Sequence, residues 1–228
     1  MLRNPFLLFA VLLLIGFTSC DDDDSGDGGP LVGSGNVITD TRSFDRFEQV
    51  NVFDDIDVNI TFGSAPTASV RTDDNIAGTI VTQLDGRVLT IRRRVGVNYG
   101  DVDVTVDVTT PTLIAVRADN AADVSFDGFR SPTTEIVIEG RNASMIEGTN
   151  SQASNIKLNV LNNASNANLY GVEAPTASVD VANSSTLEIA VTDRIAGTVR
   201  NNSTLRYQNT PDITALTTAG GGMIVDAN

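Results

Sequence analysis

With imidazole absent, the catalytic chemistry left open to this chain is centred on carboxylates. Its 228 residues include no histidine, no tryptophan and one cysteine, Cys20. Ser–His–Asp and Cys–His nucleophiles are thereby excluded, as are zinc and copper sites built on imidazole or clustered thiolates. Glycoside cleavage remains open, because it can run on Asp, Glu, Arg and Lys alone. Two groupings carry those residue types: Asp101, Asp103 and Asp107 with Arg92-Arg93-Arg94, and Glu135, Glu139 and Glu147 with Arg141. The aspartates alternate with valines, as the solvent side of a half-buried strand does. Spacing along a strand does not by itself create the paired geometry of acid–base catalysis. A β-helical carbohydrate-active enzyme using carboxylates is therefore the alternative reading, and a non-enzymatic module without cofactors is the principal one.

Hard-cation binding is the other chemistry to weigh. Asp54-Asp55-Ile56-Asp57 and Asp73-Asp74-Asn75 offer oxygen ligands. Neither has EF-hand spacing, no Gly-Gly-x-Gly-x-Asp repeat occurs, and aspartate is common in turns, so solvated turns are expected and no metal. Aromatic stacking on sugars has little to work with either, since the tyrosines are Tyr99, Tyr170 and Tyr207.

The elements that would position these groups are marked by a recurring phrase. Asn120-Ala121-Ala122, Asn142-Ala143-Ser144, Asn163-Ala164-Ser165, Asn183-Ser184-Ser185 and Asn201-Asn202-Ser203 follow one another at intervals of roughly twenty residues, with a glycine version at Gly220-Gly221-Gly222. A short alternating apolar run follows each copy, and a second lies midway, as in Glu135-Ile136-Val137-Ile138, Ile156-Lys157-Leu158 and Ser178-Val179-Asp180-Val181. A unit this short buries its apolar side only by stacking on its neighbours, which is the logic of a β-solenoid. Ile136, Leu158 and Val179 are expected in one stacked column. Asn120, Asn142, Asn163, Asn183 and Asn201 are expected to form a structural turn ladder, because asparagine tolerates left-handed backbone and its amide can bond the equivalent amide one rung away. The repeat accounts for the Asn-x-Ser/Thr matches without any attached sugar.

Residues 36–117 read as strands with tight turns. Ile56, Val58, Ile60 and Phe62 alternate with polar residues, as do the valines of 102–108, and Asp85-Gly86 marks a hairpin before Val88-Leu89-Thr90-Ile91. No long stretch has a 3.6-residue apolar period. The expected fold is all-β: a right-handed parallel β-helix of roughly five or six short coils, preceded by antiparallel strands.

Residues 1–19 read as a lipoprotein signal peptide, with Arg3, an apolar stretch from Phe6 to Phe17, and the lipobox Phe17-Thr18-Ser19-Cys20. Lipidation is expected at Cys20, giving a partner membrane through the lipid anchor. Residues 20–32 form an acidic, glycine-rich tether, and 33–228 a single β domain with its repeat part at about 118–228. The Asp21-Asp22-Asp23-Asp24 run behind the acylated cysteine points to an outer-membrane lipoprotein exposed at the surface. The net charge is −14, and loss of Arg3 makes the mature chain one unit more negative. Such a surface repels phosphate backbones, so nucleic acid is not an expected partner.

The segments Gly33-Ser34-Gly35-Asn36-Val37-Ile38-Thr39-Asp40-Thr41-Arg42, Phe44-Asp45-Arg46-Phe47-Glu48-Gln49-Val50, Asp85-Gly86-Arg87-Val88-Leu89-Thr90-Ile91, Thr110-Pro111-Thr112-Leu113 and Leu205-Arg206-Tyr207-Gln208-Asn209-Thr210-Pro211 carry a further signal. With the Ile56–Phe62 strand, they resemble the head GIN domain family of auto-transporter adhesins. The resemblance spans nearly everything from residue 33 to the end. Family members usually have Ser-Gly-x-Gly at the repeated turn, where this chain has Asn-Ala-Ser or Asn-Ser-Ser. What the resemblance implies is a β-helix-like stack, a place in the cell envelope and an adhesion role toward an extracellular glycan or protein, with no catalytic residues.

Overall fold

β-Branched residues at every second position make extended backbone the preferred state along most of the chain, and burial of one side of each strand supplies the driving force. The computed structural model of the protein describes residues 29–228; the leader, Cys20 and the Asp21–Asp24 run lie outside the described residues. The chain begins with β1 (Val37–Ser43), β2 (Gln49–Phe53), β3 (Asp57–Phe62) and β4 (Thr67–Asp73). A one-turn helix α1 (Asp74–Ala77), the hairpin of β5 (Ile80–Asp85) and β6 (Val88–Arg93), and β7 (Thr105–Thr110) follow. Then come β8 (Ala115–Asp119), β9 (Asp123–Asp127), β10 (Arg130–Gly140), β11 (Met145–Thr149), β12 (Ser151–Leu161) and β13 (Asn166–Val181). The last strands are β14 (Thr186–Arg200), β15 (Thr204–Gln208), β16 (Asp212–Ala219) and β17 (Met223–Asp226).

These strands build a β-solenoid with two main faces. On the first, β7, β3, β9, β11, the opening halves of β13 and β14, β15 and β17 lie parallel in that order. On the second, β6, β2, β8, β10, β12, the closing halves of β13 and β14, and β16 do the same. In β13 and β14 one unbroken strand bends from the first face to the second, with register shifts at the bend. The return from second face to first is the sharp corner.

Stacking order departs from chain order at the start. β2 lies between β6 and β8, and β3 between β7 and β9, so the coil that comes first in sequence is second in space. The chain leaves that coil at Phe62, makes β4, α1 and β5, and returns as β6 and β7 to lay a coil on its far side. Residues 111–114 then cross to β8. This crossing is tied down where the Thr110 hydroxyl donates to the Phe47 carbonyl at 2.8 Å and the Ile114 N–H to the Glu48 carbonyl at 2.8 Å. The antiparallel pairs β1–β4, β4–β7 and β5–β6 close this end of the stack, and the parallel ladders reach back to Gln49.

Inside, equivalent positions of successive coils form aliphatic columns. Leu89, Val50, Val116, Ile138, Leu158 and Val179 follow one another through the second face, all at most 5% exposed. Each such side chain contributes about 1.5–3 kcal/mol on burial. Leu158 and Val179 are partners as expected, but the residue beside Leu158 is Ile138; Ile136 belongs to the next column, with Ile156, Ala177 and Ile195. A bulge after Leu158 adds one residue between it and its corner, which displaces any alignment made on the apolar runs alone.

Column volumes are matched locally. Phe126 of β9 is level with Gly148 of β11, and its ring fills the space a side chain at 148 would need; a Cβ there would also stand 2.6 Å from Val172 Cγ2. The large residue of one coil uses the vacancy of the next, as close packing requires.

Candidate functional site

The sharp corners come from pairs of residues in left-handed backbone. Asn120 and Ala121 have φ of 55° and 59°, and the pairs at 142–143, 163–164, 183–184 and 201–202 repeat this within a few degrees. Non-glycine residues pay for that conformation, and asparagine pays least. The cost is offset by bonds along the stack: Ala121, Ala143, Ala164 and Ser184 each donate a backbone N–H to the carbonyl of the next corner's asparagine, at 2.9 Å. Side-chain amides run beside them. Asn142 donates to Asn120 (3.3 Å), Asn163 to Asn142 (2.9 Å), Asn183 to Asn163 (3.3 Å) and Asn201 to Asn183 (2.9 Å). Asn142, Asn163 and Asn183 therefore each donate to one neighbouring amide and accept from the other.

The ladder extends one coil further than the recurring phrase. Asp54 and Asp55, with φ of 67° and 53°, form the same corner in the first coil, and Asp54 accepts from Asn120 at 3.4 Å. The signal that could have revealed them is their place just before the alternating Ile56–Phe62 run, where every corner stands. At the other end Gly220 and Gly221 repeat the geometry, and a Cβ at 220 would lie 2.8 Å from Asn201 Oδ1. Glycine there leaves room for the last asparagine amide. A serine follows four of the corners and points inward: Ser144, Ser165, Ser185 and Ser203 are buried, and Ser165 Oγ lies 3.3 Å from both the N–H and the hydroxyl of Ser144.

In both acidic turns, side chains are engaged by groups of the chain itself. Asp55 is paired with Arg93 at 3.3 Å. Asp73, Asp74 and Asn75 accept from the segment before β1: Gly35 N–H to Asp73 (2.8 Å), Ser34 hydroxyl to Asp74 (2.6 Å) and Ser34 N–H to Asn75 (3.1 Å). The Ser34 hydroxyl, aided by the Asn36 amide, holds the Asp74 carboxyl below the usual aspartate range. Among the described residues no cluster of three or more His, Cys, Asp or Glu is arranged to hold a metal ion.

The two carboxylate groupings are not brought together as sites. Asp101 and Asp103 border a depression beside β4, whereas Asp107 lies on the first face and accepts from Asn59 at 3.0 Å. The three arginines turn to carbonyls: Arg93 to those of Asp55 and Val102, Arg94 to that of Gly78 and Arg92 to that of Arg93. Glu135 and Glu139 stand on the second face, and Glu147 on the first. Glu135 accepts from the Asn155 amide (2.8 Å), and Glu139 from Asn159 (3.0 Å), with Arg141 at 3.7 Å.

Each face carries one notable depression. On the first, Asp57 and Asp123 are direct cross-strand partners, with Asn59, Thr105, Ser125, Met145 and Glu147 around a hollow of about 270 Å³. Partial burial pushes both carboxyls up, and like charge adds to this, from Asp55 and Asp103 at Asp57 and from Asp57 and Asp55 at Asp123. On the second, a groove of about 320 Å³ has a floor of Ala115, Val116 and Val137, with Ile114 at one edge and Gln49, Asn51, Arg117, Glu139 and Asn159 as its polar lining. A shallower hollow continues it past Asn159 to Ser178, Ala196 and Gly197, beside Lys157, the only lysine.

The groove's charged groups are held in place. Arg117 pairs with the buried carboxylate of Asp119 at 2.9 Å and lies 5.1 Å over the Phe53 ring. Asp119 in turn accepts from the corner amide of Asn142 at 2.7 Å, so the ladder and the groove are mechanically joined. Just before Gln49 in the chain, Glu48 is 6% exposed beneath Arg46 and Arg87, and the Arg87 hydrogen bond leads in holding its carboxyl below the usual range.

The family model described as putative auto-transporter adhesin, head GIN domain matches residues 46–211. The chain belongs to this family. Its fold recurs in solved structures at low sequence identity. A protein from Bacteroides fragilis titled a putative adhesin is 15% identical, with a TM-score of 0.66, covering 85% of this chain and 98% of its own. Another from Parabacteroides merdae, also titled a putative adhesin, is 15% identical with a TM-score of 0.53, covering 87% of this chain and 99% of its own. A third so titled, from Parabacteroides distasonis, is 15% identical with a TM-score of 0.51, covering 86% and 99%. At that identity the likeness concerns the fold. No curated protein matches the chain in sequence.

Proposed function

We propose that this protein is a lipid-anchored binding module of the cell envelope, displayed on the outer surface and acting without catalysis. The observation that carries the reading is the engagement of carboxylates on both faces, outside the first-face hollow of Asp57, Asp123 and Glu147. Asp107, Asp119, Asp180, Glu135 and Glu139 each bond an amide or guanidinium, most of them on a neighbouring coil. Such groups stiffen a surface and present it, whereas a glycosidase needs two carboxyls facing each other across a scissile bond. Membership of an adhesin-type family supports the same reading. Cys20 would carry the acyl chains, since stable anchoring takes more than one chain, and the acidic tether would hold the domain clear of the membrane.

The test is a screen of the soluble Cys20→Ser chain against immobilised glycans and matrix proteins, run beside assays for new reducing ends and unsaturated products on the same polysaccharides. Saturable binding without product is expected. Turnover abolished by Glu139→Gln or Asp103→Asn would replace this reading with the enzymatic one.

A further inference from the structure

The outward side chains sit low on the opening coils of the second face. Gln49, Asn51, Ala115, Arg117, Val137 and Glu139 are half-buried there, and Lys157, Asn159 and Ser178 further along are exposed. Small residues at 115, 178 and 196 keep the floor low, and polar side chains rise beside it. The result is a channel across successive strands, parallel to the solenoid axis.

We infer that this second-face groove binds a neutral, hydroxyl-rich polysaccharide strand laid along the solenoid axis, an inference that rests on the binding-module reading above. Three features select that ligand. The lining mixes amides that both donate and accept (Gln49, Asn51, Asn159) with one guanidinium (Arg117) and one carboxylate (Glu139), which suits hydroxyl groups that do both. Its formal charges cancel locally while the chain carries −14, so a polyanionic strand gains nothing in the groove and is repelled outside it. Equivalent positions recur about every 4.8 Å along the stack, the spacing of hydrogen-bonded strands, so a polymer with a repeat near one sugar ring meets a polar group at each coil. A peptide strand has no comparable foothold here, because the backbone groups of β2, β8, β10 and β12 are paired on both sides.

The arginine–aspartate and glutamate–asparagine bonds also fix the lining before any ligand arrives, which lowers the ordering cost of binding. Calorimetric titration of the Cys20→Ser chain tests the assignment. The probes are neutral hexasaccharides of β-1,4-glucose, β-1,3-glucose and β-1,4-mannose, an anionic hexagalacturonate, and a fibrous matrix protein. At least one neutral hexasaccharide should bind, and the double variant Asn51→Ala/Glu139→Ala should weaken it about ten-fold, the scale of two lost hydrogen bonds. The first-face variant Asn59→Ala/Asn168→Ala should leave affinity unchanged. Glu139→Gln, which keeps shape and packing, should show a smaller loss in the same direction should the double variant fail to fold. Tighter binding of hexagalacturonate, or equal affinity of groove variants and parent, overturns the inference. Binding of the matrix protein alone overturns it too but leaves the binding-module reading standing, and silence toward every probe removes both.

Discussion

A single corner asparagine does two jobs, and substitutions can separate them. Asn163 sits at φ 55°, donates to Asn142 at 2.9 Å and accepts from Asn183 at 3.3 Å. Asn163→Gly keeps the left-handed corner and loses the amide bonds, so it should cost about 1 kcal/mol, whereas Asn163→Ala adds the strain of a Cβ in that conformation and should cost about 1–2 kcal/mol more. Urea unfolding of both variants checks the order. Equal losses would mean that the ladder, not backbone strain, dominates. Asp123 offers the opposite sign: its carboxyl is raised in the fold by burial and by Asp57 and Asp55, so the folded state holds the proton more tightly than the unfolded one. Asp123 therefore costs no stability below the ordinary aspartate range, and its cost builds as pH rises from the ordinary value to the raised one, above which it stays constant. Asp123→Asn should raise Tm at pH 7 and make no difference near pH 3, as thermal unfolding at the two pH values would show.

At the scale of elements, the match of Phe126 to Gly148 predicts a coupled pair. Gly148→Ala puts a Cβ against the Phe126 ring and should destabilise by about 1–3 kcal/mol, and adding Phe126→Leu should recover part of that loss. A double-mutant cycle with no coupling would contradict the packing described. What a reader of the sequence can see at this scale follows from period. The Asn-Ala-Ser recurrence marks corners because left-handed backbone admits few residue types, and alternating valines mark inward positions because a strand has period two. Asp54-Asp55 escaped that reading because two aspartates resemble a solvated turn more than Asn-Ala-Ser. Apolar pattern alone sets Ile136 beside Leu158, because a bulge is silent in it. The groove was illegible for a related reason: Gln49, Ala115, Glu139 and Asn159 are scattered over a hundred residues and meet only when the coils are in register.

For the molecule as a whole, the inverted order of the first coils is the feature no local signal encodes. β2 can hydrogen-bond to β6 as well as to β8 only after residues 63–114 have returned, so the first coil acquires its second neighbour late. This closes the N-terminal end with antiparallel strands, while the coils beyond β8 follow chain order toward β17. The ladder of corners keeps those coils in register, and register is what assembles the second face. Binding through this face, with the lipid end holding the protein on the cell, is the arrangement we propose. Adhesion of cells to an immobilised ligand found in the screen measures it directly, comparing the parent chain, Cys20→Ser and the groove variant Asn51→Ala/Glu139→Ala at matched expression. Parent cells should adhere, Cys20→Ser should release the protein from the membrane and abolish adhesion, and the groove variant should stay on the surface yet adhere weakly. Undiminished adhesion by the displayed groove variant, or by cells whose Cys20→Ser protein has left the membrane, would contradict the claim.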